Sequence, residues 1–283
     1  MSLKDILVFL DVSPGSEGRL RLATRVAREH GASLSAVFAY DNREAAFPPG
    51  LGVARRGLMT QLIPAMADIT ESAMSVEIAE QQFRECLHSL RGEGDWHQLD
   101  RADDSEVIAL ARTADLIVIG QINPNARAVA TWRPQDVVAA CGRPVLMVPY
   151  IGTFVQVGRR VLVAWDGSRD AVRALNDALP VIATAEEVVV MTVHTHDKDV
   201  ELGRSATERI IRHLARHGIV AHVDQRLRSN TAISDWLLSR AMDFYVDLIV
   251  AGACRHSPLR DAVIGGVSRD LFQRMTVPVL MSH

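Results

Sequence analysis

The sequence predicts an α/β protein of two doubly wound domains, each a five-stranded parallel sheet with helices on both faces. Apolar, β-branched runs alternate with helical patterns along the whole chain, which implies parallel strands covered on both sides. The chain also repeats itself. Its 283 residues suit two domains of about 140, a common domain size.

The repeat is carried by three matched stretches. Ile6-Leu7-Val8-Phe9-Leu10-Asp11-Val12-Ser13 corresponds to Val161-Leu162-Val163-Ala164-Trp165-Asp166-Gly167-Ser168. Ala114-Asp115-Leu116-Ile117-Val118-Ile119-Gly120 corresponds to Val246-Asp247-Leu248-Ile249-Val250-Ala251-Gly252. Pro144-Val145-Leu146-Met147 corresponds to Pro278-Val279-Leu280-Met281. A unit this long is a duplicated domain rather than a solenoid repeat, whose period is roughly 20–50 residues. The domains are expected at 1–150 and 156–283. The first copy is the longer, and its surplus is expected near 41–66, where Phe47-Pro48-Pro49-Gly50-Leu51-Gly52 breaks any regular pattern.

In the first half, strands are expected at 4–10, 33–40, about 95–99, 115–120 and 144–148. Ser16 to His30 places Leu20, Leu22, Ala23, Val26 and Ala27 on one helix face and stops at Gly31. Asp68 to Leu90 reads as a longer helix, and Asp104-Ser105-Glu106 opens another. In the second half, strands are expected at 159–165, 187–194, 219–225, 246–251 and 277–282. Helices are expected over Ser168–Ala183, Asp199–His217 with its stop at Gly218, Thr231–Met242 and Pro258–Met275. Right-handed crossovers then leave a doubly wound arrangement, whose ligands sit beyond the carboxyl ends of the strands where strand order reverses.

Composition narrows the function. A net charge of −3 gives no electrostatic case for nucleic acid. No apolar run approaches the ~20 residues that cross a bilayer, and the N-terminus has no signal-peptide layout. Cys86, Cys141 and Cys254 have no C-x-x-C spacing, which suits a reducing compartment. The cytoplasm is the expected location.

In the second half, the strand ending at Gly252 is followed by Arg255, Gly265, Gly266, Val267 and Ser268. Small residues at such a turn leave backbone N–H groups free to face a ligand, and a helix N-terminus there favours negative charge. Phosphate is the expected group. In the first half, the corresponding positions after Gly120 are Asn123 and Arg133-Pro134, with Trp132 beside them. Pro134 has no N–H to donate, and this half reads as a degenerate copy that holds no triphosphate.

These residues resemble the universal stress protein family in its tandem-domain form. The resemblance rests on Asp166-Gly167-Ser168, on the Asp-Leu-Ile-Val strands ending in glycine, and on the Pro-Val-Leu closing strands. It covers nearly the whole chain, the 41–66 insert excepted. It implies a stress-response protein, pairing of the two domains through their last strands, and, in one subgroup, ATP held by a G-2x-G-9x-G-(Ser/Thr) signature. Here the spacing reads Gly252, two residues, Arg255, nine residues, Gly265, then Gly266. Arg255 replaces a glycine and Gly266 replaces the hydroxyl, with Ser268 two positions on as a substitute. An arginine could clamp phosphate through its fork of donors or swing across the turn and block it. The resemblance implies that Asp166 contacts the ribose or base side and that Val193 lies against the adenine. A helix cap and a plain core valine are the alternatives. The implied site is Asp166, Gly167, Ser168, Val193, Ala251, Gly252, Arg255, Gly265, Gly266, Val267 and Ser268, with ATP or another adenine nucleotide and its magnesium as ligand.

Other constellations carry less. His213 and His217 are one turn apart on an arginine-rich helix face, without the H-E-x-x-H pattern. His194 and His196 end a strand near the crevice. Cys254 lies in the phosphate turn, where its pKa could be lowered. No catalytic triad, paired carboxylate or metal box commits the chain to an enzyme, so weak ATP hydrolysis is the most expected of it. The expectation is a ligand-responsive binding module, a pseudo-dimer of its own two domains, with a further homo-dimer left open. A nucleotide-independent protein–protein interaction module and a slow ATP hydrolase are the rivals.

Overall fold

The computed structural model describes residues 2–40, 75–100, 104–124, 132–194, 197–227, 231–253 and 266–283. The first half runs β1 (Asp5–Leu10), α1 (Ser16–His30), β2 (Ser33–Tyr40), α2 (75–90), β3 (Trp96–Asp100), α3 (Asp104–Thr113), β4 (Leu116–Gly120), α4 (Pro134–Cys141) and β5 (Val145–Val148). The second runs β6 (Arg160–Ala164), α5 (Arg169–Ile182), β7 (Glu187–His194), α6 (Asp197–Arg216), β8 (Ala221–Leu227), α7 (Ile233–Asp243), β9 (Leu248–Gly252), α8 (Gly266–Arg274) and β10 (Val279–Ser282).

The strands form one sheet in the order β3-β2-β1-β4-β5-β10-β9-β6-β7-β8. Within each half all pairs are parallel, and the halves meet where β10 pairs antiparallel with β5, Leu280 opposite Leu146. The pairing through the last strands implied by the resemblance is the one observed. It removes two open edges. The six paired residues Val145, Leu146, Met147, Val279, Leu280 and Met281 are fully buried, each worth about 1.5–3 kcal/mol relative to exposure.

Alternation along the strands sorts the core into two layers that run through both halves. Ile6, Val8, Leu116, Val118, Leu146, Val161, Val163, Leu248, Val250 and Leu280 face the α1, α2, α5 and α6 side. Leu7, Phe9, Ile117, Ile119, Met147, Leu162, Ile249, Ala251 and Met281 face the α3, α4, α7 and α8 side. Both faces of these strands are therefore buried, as their unbroken apolar runs require.

The aspartate of the repeated Asp-Leu-Ile-Val stretch has a structural task. Asp115 Oδ2 accepts the N–H groups of Lys4 (2.8 Å) and Asp5 (3.2 Å), fixing the start of β1. Asp247 does the same for β6, accepting from Gly158, Arg159 and Arg160 at 2.9–3.2 Å. Helix α1 ends on Gly31 at φ 61°, and the Ala32 N–H reaches back to the Ala27 carbonyl at 2.9 Å.

Several boundaries depart from expectation by two residues, those of β8, β9, β10, α6 and α7, and two of them bear on packing. The strand expected at 219–225 lies at Ala221–Leu227, because pairing begins at Ala221 opposite Val188 and carries on through charged Asp224 and Arg226. The apolar Ile219-Val220 signal belongs to the turn before it: Ile219 is buried there and Val220 is exposed. The helix expected from Thr231 starts at Ile233, with Ala232 extended before it. The 41–66 insert and the start of the helix expected from Asp68 lie outside the described residues.

Candidate functional site

In the second half the strand order reverses between β6 and β9, the ends of which carry Ala164 and Gly252. Ligands of open parallel sheets sit beyond such ends. The antiparallel seam turns the two halves' carboxyl ends toward opposite margins of the sheet.

Past β6 the chain turns at once into α5. Asp166 Oδ1 accepts the Ser168 N–H at 2.8 Å, and Gly167 takes φ 75°, a left-handed conformation suited to glycine. Ser168 caps α5, its Oγ accepting the Ala171 N–H at 3.1 Å. Asp166 is exposed, and its second carboxylate oxygen has no partner among the described residues. Helix capping and ligand contact are therefore compatible at this turn.

The predicted residues divide between the two faces of the sheet. Val193, Ala251 and Val267 belong to the layer under α7 and α8, as does Ala164, which was not among the predicted residues. Gly252 faces α5, where a Cβ would stand 2.6 Å from the Ala171 nitrogen, so a glycine is needed for this close strand–helix approach. Gly266 opens α8 in free space, with nothing within 4 Å of an added Cβ. The first N–H groups of that helix have no intrahelical acceptor. Ser268 is 3% exposed, and its hydroxyl donates to the Gly252 carbonyl at 3.4 Å, which ties α8 to the end of β9. The structure thus gathers Asp166, Gly167, Ser168, Val193, Ala251, Gly252, Gly266, Val267 and Ser268 around one strand margin. Arg255, Gly265 and Cys254 lie outside the described residues.

Sequence reasoning missed a polar cluster beside Val193. Arg226 is in register with Val193, sits 2.8 Å from Asp224 and lies 5.8 Å over the Trp236 ring. Arg240 approaches the same carboxylate at 3.1 Å. Burial pushes the Asp224 carboxyl up, Arg240 pulls it down and Asp243 pushes it up again, for a net rise.

In the first half the equivalent space is filled by its own side chains. Phe9, which corresponds to Ala164, meets Trp132 edge-on with ring centroids 5.5 Å apart. On the opposite face Arg19 is 3% exposed and holds the Phe9 carbonyl (Nε, 2.6 Å) and Asp11 (Nη2, 2.8 Å). Its Nη1 stands 1.9 Å from where a Gly120 Cβ would be, so this glycine makes room for a guanidinium. Burial works to raise the Asp11 carboxyl, but Arg19 and hydrogen bonds from Ser13 outweigh it and hold it below its ordinary value. Pro134 is the first residue of α4, where its missing N–H costs no helix bond. Arg19 corresponds to Ala174, a substitution visible in the sequence once the two halves are aligned through Asp11 and Asp166.

His213 and His217 stack edge-on at 4.8 Å, and the buried Nε2 of His213 has no partner. Among the described residues no group of three or more His, Cys, Asp or Glu converges on a metal position. His194 Nε2 is 3.2 Å from the Thr192 hydroxyl, and His196 lies outside the described residues. Burial raises the Cys141 thiol pKa. Among the described residues no helix is long and apolar enough to cross a membrane.

A sequence model of the universal stress protein family matches residues 158–283. A search of curated proteins found no significant match. Among solved structures the chain is similar to a universal stress protein from Archaeoglobus fulgidus DSM 4304, at 16% identity over 98% of this chain and 97% of that one, with TM-score 0.62. It is also similar to a protein from Pseudomonas aeruginosa UCBPP-PA14 assigned to the same family, at 14% identity over 99% and 93%, TM-score 0.57. A Pseudomonas aeruginosa PAO1 protein of unknown function follows at 13% identity over 98% and 92%, TM-score 0.53. Residues 158–283 are therefore a universal stress protein domain, and the whole chain has the fold of a two-domain universal stress protein.

Proposed function

We propose that the chain is a cytoplasmic stress-response module that binds one adenine nucleotide, ATP or another, in its second half. The nucleotide lies at the carboxyl margin of β6, β7 and β9, on the α7 and α8 side. Its phosphates face the start of α8 at Gly266 and Val267, together with Arg255 and Gly265, which precede that helix in the sequence. Asp166 takes the ribose through its unpartnered oxygen, and Val193 lies under the base.

The observation that carries this reading is the contrast between Ala164 and Phe9. Ala164 presents only a methyl group where Phe9 and Trp132 fill the corresponding space of the first half. A magnesium ion accompanying the triphosphate would be held largely through its phosphate oxygens and water. The module acts through ligand occupancy; weak hydrolysis would be incidental to it.

Mass spectrometry of small molecules released from the freshly purified protein tests the reading. An adenine nucleotide in near-stoichiometric amount is the expected result. A protein that releases none and fails to take up added ATP, ADP or AMP would sink it in favour of a nucleotide-independent interaction module.

A further inference from the structure

A groove of about 730 Å³ lies at the seam of the two halves, between α4 and α8. Its volume falls in the range of small-molecule sites, roughly 300–1,000 Å³. Ile122, Met147 and Phe272 supply an apolar lining drawn from both halves. Gln121 pins the halves together there: its Nε2 donates to the Phe272 carbonyl at 3.1 Å, and its Oε1 accepts the Tyr150 N–H at 3.3 Å. The groove is therefore pre-shaped rather than a gap between loosely placed helices.

Its charge is one-sided. Arg133, at the N-cap of α4, and Arg269, on α8, line it against one carboxylate, Asp136. Both arginines are exposed, and neither guanidinium has a hydrogen-bond or ion-pair partner among the described residues. Elsewhere in the chain, Arg21, Arg84 and Arg173 are tied to a glutamate or aspartate one helical turn away, whereas Arg91, Arg209, Arg212 and Arg216 are, like these two, without a side-chain partner among the described residues. What distinguishes Arg133 and Arg269 is that they line one groove beside an apolar wall. A groove with two unspent cations and an apolar wall is complementary to a negatively charged head on an apolar body.

We propose that this seam groove is a second ligand site, one for a small amphipathic organic anion. It is separate from the nucleotide crevice. In the first half the corresponding space is filled by Phe9 and Trp132, and the second half's crevice lies at the opposite sheet margin. Only α8 is shared: its first turn meets the nucleotide, and Arg269 and Phe272 further along meet the groove.

The test is a fluorescence titration of the full chain with anilinonaphthalene sulfonate, an aromatic anion that brightens in apolar surroundings. Wild type should show one saturable transition, unmoved by excess ATP. The Arg133→Gln/Arg269→Gln double variant should bind roughly ten- to a hundredfold more weakly, the effect of losing charge-assisted hydrogen bonds. Its unfolding midpoint should not change, because neither guanidinium has a partner to lose among the described residues. Arg84→Gln, on α2 across the sheet, should titrate like wild type. Absence of saturable binding, equal affinity in the double variant, or displacement of the dye by ATP would each overturn the proposal.

Discussion

Replacing Gly266 by alanine separates what the phosphate turn does for folding from what it does for binding. An added Cβ meets nothing within 4 Å, and Gly266 is not among the glycines of positive φ. The folded state therefore accepts the methyl group without strain, while the unfolded chain loses freedom. Stability should rise by about 0.4–1 kcal/mol, the usual effect of Gly→Ala at a compatible position. The methyl occupies the space through which phosphate oxygens reach the start of α8. One charge-assisted hydrogen bond lost there weakens binding by about 1.5–3 kcal/mol, tenfold or more. Urea unfolding without ligand and an ATP titration, both on the same preparation, read the two effects. Opposite signs are expected. Unchanged ATP affinity would refute the placement of phosphate at Gly266, and a loss of stability would refute the open space assigned to it. Gly252→Ala gives the contrast: its Cβ would stand 2.6 Å from the Ala171 backbone nitrogen, so overpacking should cost about 1–3 kcal/mol.

Three further outcomes follow from the contrast between the two halves. Arg19→Met leaves the Phe9 carbonyl and one oxygen of the partly exposed Asp11 without their donor, and should destabilise the chain by about 1–3 kcal/mol in chemical unfolding. Asp11 has a folded pKa below its ordinary value, so its contribution to stability is present above about pH 3.9 and is lost as pH falls through the folded pKa. Asp11→Asn should accordingly lower stability at neutral pH and flatten the acid limb of the stability–pH curve, whereas parallel curves for variant and wild type would deny the shift. Ala164→Phe copies Phe9 into the second half and should abolish ATP binding while circular dichroism stays native.

The fold was legible because its signals are redundant. β7 falls at Glu187–His194 and α1 at Ser16–His30, as their apolar periods and the stop at Gly31 require. β8 was displaced because an edge strand need bury little, so its sequence runs through Asp224 and Arg226, and the apolar Ile219-Val220 pair before it misleads. The site was legible less evenly. Glycine spacing pointed to the second half, but it could not tell which face of the sheet each residue would meet. Gly252 turns toward α5 and Val193 toward α7, a division set by strand register. Ser268 drew attention as a hydroxyl near phosphate, yet its hydroxyl is buried against the Gly252 carbonyl. Arg19 went unread because an arginine within an amphipathic helix looks like surface. Only the packed structure turns it inward beneath Gly120.

The most direct test of the account is the number of nucleotides one chain holds. Calorimetric titration of ligand-free protein with ATP should give one site per chain in wild type and none in Ala164→Phe. Two sites per chain, or one that survives Ala164→Phe, would contradict the assignment of binding to the second half alone.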